Sequence, residues 1–189
     1  MNTALKLPSS FTYGDYCRWD DEERWELIHG EAYAMSAPSR IHQKFVTEFI
    51  RQIGNYLQNK ACEVYAAPFD VRLPQTNETD DEVDTVVQPD ISVICDPAKL
   101  DDKGCRGAPD WIIEVLSPST AIKDMDIKQN VYQKHGVREY WLIHPTEKWG
   151  MIYVLNEAGQ YVKPRIIALT DTTSVVIFPD LEINWQFLA

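Results

Sequence analysis

At 189 residues, with 44% apolar and 11% aromatic side chains, the chain has the length of one domain with a full core and the composition of a folded globule. Those figures exclude a disordered tail, and a single domain over residues 1–189 is expected. Eighteen basic against 29 acidic residues leave a net charge of −11, which argues against a surface built for tight nonspecific DNA binding, since such surfaces neutralise phosphates with Lys and Arg. A local basic patch is still allowed, and an acidic metal site would itself add to the deficit.

No run of about 18 apolar residues occurs, so no membrane span is expected. The opening Met1-Asn2-Thr3-Ala4-Leu5-Lys6-Leu7-Pro8 has no apolar core of signal-peptide length, and a cytoplasmic protein is expected. Cys17, Cys62, Cys95 and Cys105 form no Cys-x-x-Cys pair; they suit reduced, mostly buried thiols better than a disulfide framework or a structural zinc.

In chain order, Trp25 to Met35 predicts a hairpin turning at His29-Gly30. Ser39 is placed to cap a helix over Arg40 to Gln58, in which Ile41, Phe45, Phe49, Ile53, Tyr56 and Leu57 recur at helical spacing. Cys62 to Leu73 is rich in strand formers, with Pro68 interrupting. Pro74 to Asp84 carries five acids and predicts a mobile, solvated loop. Val86 to Cys95 predicts a strand, although Pro89-Asp90 lies inside it, where proline fits only at an edge or bulge. Asp96 to Pro109 is expected to be a loop.

Trp111 to Leu116 predicts a buried strand, Ser117-Pro118-Ser119-Thr120 a helix start, and Ala121 to His135 a helix stopped by Gly136. Arg138 to His144 predicts a strand parallel to the one at Trp111, joined through a right-handed crossover. Shorter strands near 150–155, 160–168 and 174–178 predict an antiparallel extension.

Glu114 is the residue most in conflict with its surroundings. It stands in Trp111-Ile112-Ile113-Glu114-Val115-Leu116, with Ile112 and Leu116 on its own face of the strand. A carboxylate there costs several kcal/mol or more unless a cation, a proton or hydrogen bonds hold it. It is therefore a candidate metal ligand, against the alternatives of a wet edge strand or an arginine-paired acid. Asp90, after Pro89, lies on the preceding strand; taken alone, Pro-Asp is common turn chemistry. At 100° per residue the helix after Glu114 has a polar arc of Gln129, Gln133, Asp126, Asn130, Lys123 and Lys134. Lys128 falls on the opposite, core-facing arc with Val131, Tyr132 and Met125. It either meets a carboxylate there or snorkels, with Asp124 four residues earlier as a local partner.

Pro89-Asp90, the string Glu114-Val115-Leu116-Ser117-Pro118-Ser119-Thr120, then Asp124, Lys128, Tyr132 and Gly136-Val137-Arg138-Glu139-Tyr140-Trp141 resemble the Uma-two-type restriction endonuclease family, also called domain of unknown function eight-twenty, of the PD-(D/E)xK nuclease superfamily. Trp25 to Glu31, Pro38-Ser39 with His42, and Phe178-Pro179-Asp180-Leu181 extend the resemblance over nearly the whole chain. It implies an α/β (α+β) fold with a restriction-endonuclease-like core: a mixed central sheet flanked by helices, with additional antiparallel strands. It also implies Mg²⁺ or Mn²⁺ held by Asp90, Glu114 and the backbone carbonyl of Val115, and Lys128 acting on the attacking water or the developing charge, with DNA as substrate.

The superfamily's lysine two residues after the acid is replaced by Leu116, and Lys128 is the helix-borne substitute. Among further acids near the N-terminus, Glu31 is favoured over Glu48, which lies on the polar side of its helix. His42 is a secondary candidate near the site. His29, His135 and His144 lack zinc spacing, and Ser117 lacks a nucleophile elbow. The competing expectation is a nuclease-like scaffold that no longer cleaves and binds protein or nucleic acid instead. A homodimer suits either, because two sites cut two strands.

Overall fold

The structure is a computed structural model that describes residues 10–19, 23–117 and 123–188. A short helix α1 (Tyr13–Tyr16) precedes the hairpin β1 (Trp25–Ile28) and β2 (Glu31–Ala34). The hairpin turns where the sequence places it: His29 and Gly30 both have positive φ, 52° and 76°, as a two-residue turn matched to strand twist requires. A Cβ at Gly30 would fall 1.8 Å from Ser10 Oγ, so glycine is demanded by space as well as by φ.

Helix α2 (Arg40–Leu57) starts at Ser39, whose side chain accepts from His42 N. Its apolar stripe, Phe45, Phe49, Ile53 and Leu57, is buried against a sheet. The strands β3 (Glu63–Ala66), β4 (Val71–Arg72), β5 (Val86–Val87), β6 (Ile91–Ile94), β7 (Leu100–Asp101), β8 (Gly104–Arg106) and β9 (Trp111–Val115) follow. A π-helix (Lys123–Lys128) then leads into α3 (Gln129–His135), and β10 (Glu139–His144), β11 (Trp149–Val154), β12 (Arg165–Ala168), β13 (Thr172–Ser174) and β14 (Glu182–Asn184) come after it.

Among the described residues two six-stranded sheets result, in the orders β12-β11-β10-β9-β6-β3 and β2-β1-β5-β4-β8-β7, beside a β13-β14 ribbon. In the first sheet β9 and β10 are parallel and the remaining neighbours antiparallel, the mixed sheet that was expected. Side chains alternate across β9. Trp111, Ile113 and Val115 pack with α2 and the C-terminal segment, while Ile112 and Leu116 pack with Val131 and Tyr132 of α3. Glu114 therefore points to the α3 face. Gly136, at φ 89°, caps α3 in the left-handed conformation, as the sequence indicated.

The buried carboxylate of Glu139, at the start of β10, accepts from Trp141 Nε1, Val176 N and Ile177 N. It fastens the C-terminal segment to the central sheet.

Several expectations are corrected. The stretch from Val86 to Cys95 is two strands in different sheets, broken at Pro89, because a residue without N–H cannot continue the ladder. The Asp96–Pro109 loop contains the β7-β8 hairpin. The helix predicted over Ala121 to His135 begins, within the described residues, as a π-turn; the Pro118-Ser119-Thr120 part of its start signal lies outside them. Cys62 and Cys95, expected as thiols, are disulfide-bonded at the ends of the paired strands β3 and β6, while Cys17 is an exposed thiol and Cys105 a buried one. No helix among the described residues is long and apolar enough to cross a membrane.

The acidic stretch after Pro74 is anchored. Asp80 lies in a 3-10 turn (Asp80–Glu82), accepts from Arg72 Nη1 at 2.5 Å and from Arg106 Nε at 2.8 Å, and Arg72 Nη2 reaches Asp101 at 2.6 Å. Arg72 is fully buried, so the acids answer a cation that has no path to water. Arg72→Ala is expected to cost about 3 kcal/mol in urea denaturation, the low end for a broken buried ion pair because Asp80 and Asp101 remain partly solvated. The same variant should make the segment 74–84 newly sensitive to limited proteolysis; unchanged stability and cleavage would show the anchoring to be inconsequential.

Candidate active site

Asp90 occupies the point where the chain leaves one sheet for the other. Its Oδ2 accepts from Val115 N at 2.8 Å, serving a strand-end N–H that the proline-broken ladder leaves to a side chain. His42 Nε2, on the first turn of α2, lies 3.0 Å from the same oxygen. Asp90 N in turn donates to Glu114 Oε2 at 3.3 Å. The two acids predicted from sequence are thus neighbours, each touching the backbone or side chain beside the other.

Glu114 is 3% exposed. Its Oε1 takes two donors, Lys128 Nζ at 2.7 Å and Tyr132 OH at 2.9 Å, which leaves Oε2 directed toward Asp90. Burial, reinforced by the charges of Asp124, Asp90 and Glu26 and opposed by Lys128, pushes the Glu114 carboxyl up to about 8. Lys128 is 2% exposed and does not snorkel. Nζ meets Glu26 Oε1 at 2.7 Å and Asp124 Oδ1 at 3.6 Å besides Glu114. Burial would lower its pKa, but the three carboxylates more than reverse this and hold the amine protonated.

Glu26 is the site residue that the sequence reading misses. It is fully buried on β1, accepts from Gln88 N at 2.9 Å, and bridges two amines, with Oε2 2.6 Å from Lys123 Nζ. Burial alone would raise its pKa; Lys128 and Lys123 override that and hold the carboxyl below the usual range. A signal for it exists, because Trp25-Glu26-Leu27-Ile28 is an acid in an apolar run, as Glu114 is. Glu31, favoured instead, is exposed on β2, where it accepts from Tyr33 OH at 2.9 Å, and does not line the site. Glu48 pairs with Arg51 on the outer face of α2. Leu116 is buried and packs with the α3 face.

These groups line a cleft of about 290 Å³ between β1, the first turn of α2 and the π-helix. Among the described residues, four acids line it, Glu26, Asp90, Glu114 and Asp124, against three cations, Arg24, Lys123 and Lys128. With all of these ionised, one negative charge stays uncompensated in a region largely closed to water. Among the described residues no three His, Cys, Asp or Glu side chains converge as a ready-made cage. An arrangement of two neighbouring carboxylates and a strand-end carbonyl fits a hard divalent cation that keeps several of its waters.

The chain matches the family described as Uma2, putative restriction endonuclease, over residues 13–186. It is 26% identical over 151 residues to the uncharacterized protein slr1290 of Synechocystis sp., a match covering 78% of this chain and 76% of that protein. Its fold is similar to the crystal structure of a putative nuclease belonging to DUF820 from Anabaena variabilis, with a TM-score of 0.74 at 20% identity, covering 95% of this chain and 99% of that one. With a family match that spans nearly the whole chain, this protein belongs to the Uma2 family of putative restriction endonucleases.

Proposed function

We propose that the protein is a Mg²⁺- or Mn²⁺-dependent endonuclease that hydrolyses DNA phosphodiester bonds at the Asp90–Glu114 cleft. The observation that carries this is the contact of two predicted acids on neighbouring strands with a buried, charged lysine on one of them. A divalent cation, when bound, supplies a water of lowered pKa and positive charge against the phosphate.

The chain's own groups do the rest. Asp90 Oδ1, Glu114 Oε2 and the Val115 carbonyl are the oxygens that would hold the ion. Lys128 and Tyr132 fix Glu114 through its other oxygen, and His42 with Val115 N fixes Asp90 through Oδ2. The Lys128 ammonium lines the cleft behind Glu114 and is already desolvated, so it would lend positive charge, with little reorganisation, as negative charge develops on the phosphate. Its arrival from the helix would answer the absence of lysine at Leu116, one of the features that favour a non-cleaving scaffold.

The proton on Glu114 makes the ion's place testable without any cleavage assay. Between the ordinary carboxyl value of 4.5 and about 8, the unfolded chain releases this proton and the folded chain keeps it. The folded state then binds more protons, and stability falls as pH rises through that window. The metal-free protein is expected to lose several °C of Tm between about pH 5 and about pH 8 relative to Glu114→Gln. Mg²⁺ or Mn²⁺ should restore the loss in wild type and not in the variant. Parallel pH profiles for the two proteins would remove Glu114 as the proton's holder.

For the reaction itself, Asp90→Asn should abolish calorimetric Mn²⁺ binding, and Lys128→Ala should slow cleavage of supercoiled and single-stranded DNA by about 10²-fold or more, the scale of a lost charge-stabilising group. Wild-type protein that binds neither ion and cuts no DNA would favour the scaffold instead.

A further inference from the structure

At α-helical pitch, residues five apart project about 140° away from each other, which is why the sequence assigns Lys123 to the polar arc and Lys128 to the core. The turn from Lys123 to Lys128 is wound as a π-helix, in which residues i and i+5 close one ring and share a face. Both amines consequently reach the same carboxylate, Lys128 Nζ on Oε1 of Glu26 and Lys123 Nζ on Oε2.

Their environments differ. Lys128 is enclosed by three carboxylates. Among the ion pairs of the described residues Lys123 has only Glu26, which it shares with Lys128; it lies over the Tyr33 ring at 5.6 Å, keeps 14% of its side chain exposed and lines the cleft. An ammonium has three donors, and the contact with Glu26 uses one. Arg24, a further cation lining the cleft, is committed through Nε and Nη2 to Gln88 Oε1.

We infer that Lys123 is a substrate-binding residue of this site, donating to a phosphate of the bound DNA strand, with Glu26 as the positioning carboxylate and the π-turn as the backbone device that brings it into the cleft. The inference rests on the nuclease proposed above. The two amines then have separate roles, Lys128 toward the reacting charge and Lys123 toward holding the strand.

The test compares wild type, Lys123→Gln and Lys123→Arg on a fluorophore-labelled oligodeoxynucleotide with Mg²⁺, and measures equilibrium binding of the same oligonucleotide to metal-free Asp90→Asn protein with and without Lys123→Gln over a salt series. Lys123→Gln is expected to raise KM about tenfold, the scale of one charge-assisted hydrogen bond, with kcat within about threefold. Lys123→Arg should recover most of that loss. In the Asp90→Asn background, Lys123→Gln should reduce the slope of log affinity against log salt by nearly one unit. Wild-type KM and salt slope in Lys123→Gln, whether or not its Tm falls, would overturn the inference and leave Lys123 as a counterion to Glu26. A fall in kcat at constant KM would overturn it too, placing Lys123 in the chemistry. Wild-type protein that neither cuts nor binds the oligonucleotide would overturn the nuclease reading and this inference with it.

Discussion

The ammonium of Lys128, buried in the interior and met by Glu26, Glu114 and Asp124, is the interaction around which the rest of the molecule is arranged. No single partner would suffice: in a region closed to water, a lone carboxylate would return only part of the cost of desolvating both charges. Three acids drawn from β1, β9 and the π-helix solve that problem by excess, and the excess creates the next one. The local charge becomes negative, and Glu114 is driven to keep a proton. Stability and proposed function thus have one electrostatic origin, an overcompensated lysine.

The sheets position these groups by breaking in the right places. Pro89 ends the ladder of one sheet, and Asp90 opens the next while its carboxylate serves Val115 N. A side chain here substitutes for a missing backbone hydrogen bond, so Asp90 is held by the same contact that closes the end of β9. His42 joins from the start of α2, a helix fixed by its long apolar stripe. The site residues stand on regular elements, or in the case of Asp90 directly before β6, rather than on long loops.

How much of this is legible in the sequence depends on the range of the signal. Helix α2, the β1-β2 turn, the Gly136 stop and the parallel β9-β10 pair follow from local patterns, and the structure has them. That Glu114 shares a face with Ile112 and Leu116 follows from strand alternation alone; that α3 covers this face does not. What periodicity cannot supply is anything that depends on a partner distant in sequence. Asp80 reads as solvated acid until Arg72 and Arg106 are folded against it, and Cys62 and Cys95 carry no pairing signal until β3 and β6 meet. Glu26 is missed for another reason: Glu31, on the same hairpin, draws attention to the wrong strand. Lys123 is misassigned because a constant 100° step is the wrong ruler for a π-turn.

That turn ties backbone winding to charge. A π-turn is rarer and less favourable than an α-helical one, and here both of its terminal lysines are pinned to opposite oxygens of one carboxylate. Glu26 therefore acts as a latch on the helix as well as a counterion. The spacing of positive charge at the floor of the site is thus matched to the two oxygens of an acid on a different strand.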